Sequence, residues 1–205
     1  MTRSKSFVLL AMLIASLLIA ACGGAATAPT EAPAAEPAAT PMKIKVGTNA
    51  EYRPFEFVDE NGAVVGFDID LMNAIAKAAG FEVEFVNTRW DGIFVALAQG
   101  EFDAVQSAAT ITDERKQTVN FSDPYFLAGQ GLAVKQGSPI TGLADIDGKR
   151  VGVQLGTTGD IWASENTAAE VVRFDEITLA MQALANGDVD AVLNDSPVSA
   201  DIIKA

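Results

Sequence analysis

The sequence predicts an α/β protein of two similar lobes with a cleft between them. Two observations predict it. Ten residues, Ala96-Leu97-Ala98-Gln99-Gly100-Glu101-Phe102-Asp103-Ala104-Val105, return 87 positions later as Ala183-Leu184-Ala185-Asn186-Gly187-Asp188-Val189-Asp190-Ala191-Val192, with seven identities. Each copy reads as a helix end, a Gly stop and a short buried strand. Solenoid units recur about every 20–50 residues, so this spacing indicates two α/β units rather than a solenoid. The pattern is common in α/β folds and can arise by chance, but seven identities in ten weigh against that. The second observation is the alternation of strand and helix signals from Met42 onward, the mark of a parallel-rich sheet in each lobe. Two lobes leave a cleft, where small ligands bind.

The elements follow in order. Lys43–Thr48 alternates polar and apolar residues as a strand does, and opens into Asn49–Phe55. Phe55–Val58 and Val64–Phe67 flank Asp59-Glu60-Asn61-Gly62, a hairpin with Asn-Gly in its turn. Asp68 or Asp70 caps a helix through Ala79, with Ile69, Leu71, Met72, Ile75 and Ala78 as its apolar face and Gly80 as its stop. Phe81–Val86 is a strand, Trp90–Ala98 a helix and Asp103–Gln106 a strand. A crossover is expected near Leu127–Val134. The second unit then repeats the scheme. Strand Arg150–Gln154 precedes a helix opened by Gly156-Thr157-Thr158-Gly159. Strand Val171–Phe174, helix Glu176–Ala185 and strand Asp190–Leu193 complete it. The lobes are expected at residues 42–128 and 129–205.

Ahead of them lies a targeting pattern. Arg3 and Lys5 precede Phe7–Ala21, fifteen residues of which only Ser16 is polar, a run too short for a comfortable membrane span. Residues 1–21 are read as a signal peptide. Ile19-Ala20-Ala21-Cys22 looks like the lipobox of bacterial lipoproteins, with Cys22 as the lipidated residue; an uncleaved signal anchor is the alternative. Cys22 is the only cysteine, so no intramolecular disulfide is available to an exported chain. Residues 22–41 carry Pro29, Pro33, Pro37 and Pro41 at four-residue intervals and read as a semi-extended tether. At about 3.1 Å per residue it spans up to ~60 Å.

Composition excludes several functions. Without Arg3 and Lys5, 12 basic residues face 27 acidic ones, a net charge of −15 that disfavours nucleic acid. With no histidine and a single cysteine, the usual zinc sites, Ser-His-Asp triads and Cys-His pairs are impossible. No catalytic residue, metal or cofactor is expected.

In parallel sheets, ligands sit beyond the carboxyl ends of strands. The two repeats end in Gln106–Thr110 and Leu193–Asp195, which would face each other across a pseudo-two-fold. Thr110-Ile111-Thr112-Asp113-Glu114-Arg115-Lys116 offers Thr112 as N-cap, and acidic residues suit the helix start. Arg115 opposes that dipole, while its fork matches a carboxylate. The plainer reading pairs Arg115 with Asp113 and Glu114 on a wet surface. Asp195 lies at the cleft edge, where it can meet a ligand ammonium, cap the next helix at Asp195-Ser196-Pro197, or do both. Tyr52 and Trp90 each follow a strand and can enclose a side chain or simply pack. Gly156–Gly159 is an anion-compatible helix start without the Lys of a P-loop.

Together these segments resemble the polar amino-acid (family 3) solute-binding proteins of ABC importers. The likeness runs from Lys43 to the C-terminus. It is carried by Gly47–Phe57, Gly66–Leu71, Trp90-Asp91-Gly92, Thr110–Arg115, Phe121–Tyr125, Gly156-Thr157-Thr158 and Asn194-Asp195. The resemblance implies a type II periplasmic-binding-protein fold with the ligand between the lobes. It implies that Arg115 takes the α-carboxylate of an amino acid with the Thr110 hydroxyl and the Thr158 backbone. Asp195 and the Ala108 carbonyl would take the ammonium, and Tyr52 and Trp90 would enclose the side chain. It further implies a monomeric receptor, lipid-anchored outside the cytoplasm, that delivers its ligand to an ABC permease. Two departures stand out. Asn49 occupies a place where relatives with basic ligands, and the glutamine binder, have Asp. That shifts the expected ligand toward a neutral polar amino acid, although Glu51 is near. Relatives also continue past Ala205 and cross back to lobe 1, so lobe 2 is expected to be incomplete and the second crossover missing. A cyclohexadienyl or arogenate dehydratase on the same fold is the enzymatic alternative, for which only Glu51 and Glu56 offer an acid or base. The input domain of a sensor is a third reading, which would require a membrane-spanning helix and a kinase.

Overall fold

The computed structural model describes residues 41–204. The signal peptide, Cys22 and the tether through residue 40 lie outside the described residues. Strand β1 (Lys43–Thr48) opens the first lobe. Strands β2 (Glu51–Tyr52), β3 (Glu56–Val58) and β4 (Val64–Val65) form a small antiparallel sheet. Its last turn is held by Asp59, whose Oδ1 accepts the amides of Asn61 at 2.9 Å and Ala63 at 2.8 Å.

Helix α1 (Phe67–Ala79) ends as expected on Gly80, which is left-handed at φ 78°. Its start differs from expectation. Gly66 occupies the N-cap position, and neither Asp68 nor Asp70 caps the helix. Asp68 is fully buried and points into the lobe instead. The apolar stripe is also narrower: Ile69, Met72 and Ala76 are buried, whereas Ile75 and Ala78 face outward. Spacing alone cannot say which part of a wide apolar arc the neighbouring elements cover.

Strand β5 (Glu82–Asn87) runs parallel to β1 through six paired residues, from Lys43 opposite Glu82 to Thr48 opposite Asn87. Helix α2 (Ile93–Ala98) starts three residues later than predicted, because Gly92 turns left-handed at φ 88° and makes Trp90–Gly92 a bend. Strand β6 (Ala104–Val105) joins the other side of β1. The first sheet has the order β5-β1-β6, all parallel.

Strand β7 (Gln130–Val134) belongs to the second sheet, while Tyr125 still bonds to Asp68 of the first lobe, so the chain passes between lobes just before Gln130, at the start of the expected stretch. Strand β8 (Arg150–Gln154), helix α3 (Thr158–Asn166), strand β9 (Glu170–Phe174), helix α4 (Ile177–Asn186), strand β10 (Ala191–Asp195) and helix α5 (Ser196–Lys204) follow. The sheet order is β7-β10-β8-β9, parallel except for β7. Among the described residues no helix is long and apolar enough to cross a membrane.

The sequence repeat is a structural repeat down to its hydrogen bonds. Gly100 and Gly187 are left-handed at φ 80° and 86°. Phe102 and Val189 are buried at equivalent places. Asp103 Oδ2 accepts the Lys45 amide at 2.8 Å, and Asp190 Oδ2 accepts the Arg150 amide at 2.8 Å. In return the Asp103 and Asp190 amides donate to the Lys45 and Arg150 carbonyls. Each Asp therefore clamps the start of the neighbouring parallel strand. The strands emerge in register toward one end, where both repeats present their loops.

Three buried clusters hold the fold. Trp90, Ile93 and Phe102 pack in lobe 1, and Ile140, Ile146, Val151, Val153, Ala163, Ala191 and Leu193 in lobe 2. In the third, Tyr52 and Phe55 join a cluster with Ile177, Ala180, Leu184 and Val198. The β2 hairpin is thus packed onto the second lobe.

Candidate functional site

The strand ends and loops named above converge on one cavity. Asn49, Tyr52, Trp90, Ala108, Thr110, Arg115, Thr158 and Asp195, the eight residues singled out from sequence, all line it. So do Glu56, Ser107, Gln154 and Thr157, which the sequence reading did not assign.

Arg115 sits at the wall between the lobes. The expected α-helix at Thr112 is only a 3₁₀ turn, Arg115–Gln117, although Thr112 Oγ1 does accept the Arg115 amide at 3.1 Å. Three residues carry no appreciable macrodipole, so opposition to a helix dipole is not what distinguishes Arg115. Its geometry is. Nη1 donates to the Thr110 carbonyl at 2.8 Å and Nη2 to the Gly156 carbonyl of the other lobe at 3.1 Å. The guanidinium carbon lies 5.2 Å from the Trp90 ring centroid and 4.8 Å from that of Phe94. Among the described residues Arg115 makes no ion pair: Asp113 pairs with Lys116 at 3.3 Å. The wet-surface pairing is therefore not what holds Arg115. Burial lowers its pKa from the usual arginine value, and Glu114 and Asp195 oppose that shift.

Asp195 ends β10 opposite Gln130, and that register brings Gln130 Nε2 to Asp195 Oδ1. The Tyr52 hydroxyl lies 2.8 Å from Asn194 Oδ1 and 2.9 Å from Asp195 Oδ2. Its single proton serves one acceptor at a time, so Asp195 keeps acceptor capacity. Burial raises the Asp195 pKa, while Tyr52, Gln130 and Arg115 hold it down. The Tyr52 hydroxyl is pushed well up by burial and by Asp195.

Ala108 is the one non-glycine with positive φ among the described residues, at 46°. That conformation costs a non-glycine about 1–2 kcal/mol. It is held by Asp68, whose Oδ2 accepts the Ala108 amide at 2.7 Å and the Tyr125 hydroxyl at 2.7 Å. Opposite it, Thr157 N-caps α3 by accepting the Asp160 amide at 3.4 Å. Asp160 Oδ2 in turn accepts the Gly156 amide at 3.0 Å, and Asp160 is anchored by Arg173 at 2.9 Å. The first amides of α3, starting with Thr158, have no acceptor within the helix. They open beside Arg115.

At the far end, the Asn49 side chain is bonded on both sides. Its amide nitrogen donates to the Thr88 carbonyl at 3.0 Å, and its oxygen accepts from Gln154 Nε2 at 3.1 Å across the lobes. Trp90 both packs in the lobe 1 core and lines the cavity. The nearby acid is Glu56 and not Glu51: Glu51 borders a separate outer cavity with Arg53, Phe57 and Thr178. Glu56 is fully buried, and Ser107 donates to its Oε1 at 3.0 Å. A charged residue between Phe55 and Phe57, and a polar residue closing the apolar strand Val151-Gly152-Val153, were the sequence signals for Glu56 and Gln154. Among the described residues no group of three or more acidic, histidine or cysteine side chains is placed to hold a metal ion.

Residues 44–181 match the bacterial extracellular solute-binding proteins, family 3. The chain is 42% identical over 208 residues to a probable histidine-binding protein of Neisseria gonorrhoeae, covering 98% of this chain and 75% of that one. It is 36% identical to the L-cystine-binding protein TcyJ of Escherichia coli K12, covering 78% of this chain and 61% of that one. Among solved structures it is similar to the arginine-bound form of truncated ArgBP from T. maritima. There the TM-score is 0.76 and the identity 44%, over 79% of this chain and 77% of the other. All three are named for amino-acid binding, which favours a binding protein over a dehydratase of the same fold. The solved structure shares the two-lobed α/β architecture described above. This chain belongs to the bacterial extracellular solute-binding proteins, family 3.

Proposed function

We propose that the protein is an extracytoplasmic receptor that closes on a single amino acid and hands it to an ABC permease. The observation that carries this reading is the pair of opposite charges, Arg115 on one lobe and Asp195 on the other, lining one small cavity. A free amino acid has the matching ends. Its carboxylate fits the Arg115 fork, the Thr110 hydroxyl and the Thr158 amide. Its ammonium fits Asp195 and the Ala108 carbonyl. Tyr52 and Trp90 flank the side chain, which then points toward Asn49, Glu56, Ser107 and Gln154.

That far end favours a cationic side chain. Asn49 alone suggests a neutral one, but Glu56 supplies a buried carboxyl to the same cavity. Two of the three relatives are named for basic amino acids, histidine and arginine, and the third for cystine. Contacts on both lobes strengthen when the lobes close, so ligand shifts the population toward the closed form that a permease reads. Lipid on Cys22, a tether of residues 22–41 and a monomeric state complete the proposal, supported by the lipobox and the proline spacing.

The test is a thermal-shift screen of the twenty amino acids followed by calorimetry on the hits. Stabilisation by one or a few basic amino acids, stoichiometric with protein, is expected. No shift with any of the twenty would overturn the reading.

A further inference from the structure

Two carboxyl groups lie side by side next to the cavity, with the buried Gln106 amide beside Asp68. Glu56 and Asp68 are both 0% exposed. Glu56 Oε1 takes the Ser107 hydroxyl, and Asp68 Oδ2 takes the Ala108 amide and the Tyr125 hydroxyl. Glu56 Oε2 and Asp68 Oδ1 are each buried without a hydrogen-bond partner, as is Gln106 Nε2. The Asp68 amide donates to the Phe55 carbonyl at 2.9 Å, and the consecutive residues Ser107 and Ala108 hold the two carboxyls, which sets them side by side. Two buried carboxyl groups side by side, with no cation between them, do not both ionise readily. Glu56 also borders the ligand cavity, so it is the member of the pair nearest the ligand.

No cation offsets this charge. Arg115 and Asp195 stand across the cavity, and Tyr52 faces Glu56 from β2. The Arg53 guanidinium, next in chain to β2, lies 3.6 Å over the Phe57 ring. On α1, Asp70 is exposed and Lys77 lies in the last turn. Among the described residues none of these cations forms an ion pair with Glu56 or Asp68.

We propose that Glu56 and Asp68 share one proton in the empty site, and that a cationic amino-acid side chain entering the cavity expels this proton to solvent, selecting basic over neutral amino acids. The inference rests on the receptor reading above. In the step, the O–H bond of the carboxylic acid breaks and the proton goes to buffer. The pair then carries two negative charges, of which the ligand's guanidinium or ammonium neutralises one. A neutral side chain supplies no positive charge, and the proton stays. Burial, followed by the repulsion of Asp68, holds the Glu56 pKa well above the usual carboxylate value. Asp68 also fixes Ala108, so the acid pair is tied to the ammonium end of the cavity.

The linkage has a definite sign. Binding that releases a proton tightens as pH rises, by up to about tenfold per pH unit, until the empty pair has lost its proton. The test is calorimetric titration of the protein with L-arginine and with L-glutamine in phosphate and in Tris at one pH, repeated over a pH series. Arginine is expected to release close to one proton more than glutamine, and its association constant to climb with pH while that of glutamine stays flat. The two ligands share their ammonium and carboxylate, so titration of Asp195 cancels between them. Glu56→Gln is expected to abolish the difference in proton release and to lower arginine affinity relative to glutamine at least tenfold. Equal proton release by two ligands that both bind overturns the pair's role and leaves the receptor reading standing. Binding of glutamine but not arginine overturns the selection. Absence of binding by all twenty amino acids overturns the receptor reading and the pair's role with it. The wild-type titrations decide the matter even if Glu56→Gln fails to fold.

Discussion

Arg115 shows how a residue acquires meaning from where its donors point. Its two terminal nitrogens span Thr110 and Gly156, and two aromatic rings lie within 5.2 Å of its charged carbon. Arg115→Ala is expected to cost about 2–5 kcal/mol of ligand affinity, the range for removing one member of a buried charge pair. Arg115→Lys should recover part of it, because a point charge cannot make the forked contact. Calorimetry on folded variants checks both, and unchanged affinity in the alanine variant would reject the carboxylate role. Asn49 makes the opposite point. From sequence it is an uncharged substitute for Asp, yet in the fold it bonds to both Thr88 and Gln154. Asn49→Asp should improve arginine relative to glutamine in a competition titration. It should also destabilise the protein by about 1–3 kcal/mol in urea, because the Thr88 carbonyl loses its donor. Tyr52, Trp90, Arg115 and Asp195 were legible as strand-end or helix-start positions, whereas Asn49, Ala108, Thr110 and Thr158 became candidates only through the family resemblance. That Asn49 is already engaged, that Glu51 faces elsewhere and that Glu56 lines the cavity were not legible, since side-chain direction at a loop follows from the loop's closure.

The elements carry the repeat. Asp103 and Asp190 bond the backbone of the strand beside them in both lobes, and both are solvent-exposed. Asp103→Ala and Asp190→Ala should each lower stability by about 1 kcal/mol, a modest value for an exposed hydrogen bond. Neither side chain reaches the cavity, so ligand affinity should stay within about twofold once the variants are folded. A variant that lost affinity but kept stability would contradict this purely structural role. Gly159 shows why α3 can start where it does. A Cβ there would meet the Leu193 carbonyl and Gln130 Oε1, each at 2.9 Å. Gly159→Ala should push α3 away from β10, destabilise the lobe by about 1–3 kcal/mol, and weaken ligand binding by moving the Thr158 amide. Urea denaturation and titration of the same variant test the two effects. The periodic signals located nearly every strand and helix. They failed at element starts, where Gly92 delays α2, Gly66 replaces an acidic cap on α1, and Thr112–Arg115 forms only a 3₁₀ turn. Local preference places a capping residue, but packing decides whether its side chain turns back to the helix or inward, as Asp68 does.

At the scale of the molecule, charge burial sets the pH response. The folded protein holds the Glu56 proton more tightly than the unfolded chain does. The stability this contributes is fully present below the ordinary carboxylate pKa and is lost as pH rises through the folded value, by about 1.4 kcal/mol per pH unit per proton. Asp195 and Glu51 are shifted the same way by burial and add to the slope. The ligand-free protein should therefore have a urea midpoint that falls from mildly acidic to neutral pH. Glu56→Gln should flatten that fall, and a pH-independent wild-type midpoint would refute the buried acid.

The sequence by itself determined the two α/β units, their repeat, the strand ends that carry the site and the absence of histidine chemistry. Those follow from short-range periodicity, composition and identity between the copies, which need no knowledge of distant neighbours. Only the tertiary structure decided that Arg115 bridges the lobes, that Asn49 is latched to Gln154, and that Glu56 lies against Asp68 beside the cavity. Each of these contacts joins residues from separate elements, at separations from 12 positions for Glu56 and Asp68 to 105 for Asn49 and Gln154. The physical reason is that charge, burial and hydrogen-bond satisfaction are properties of an environment, and that environment exists only once the lobes have packed.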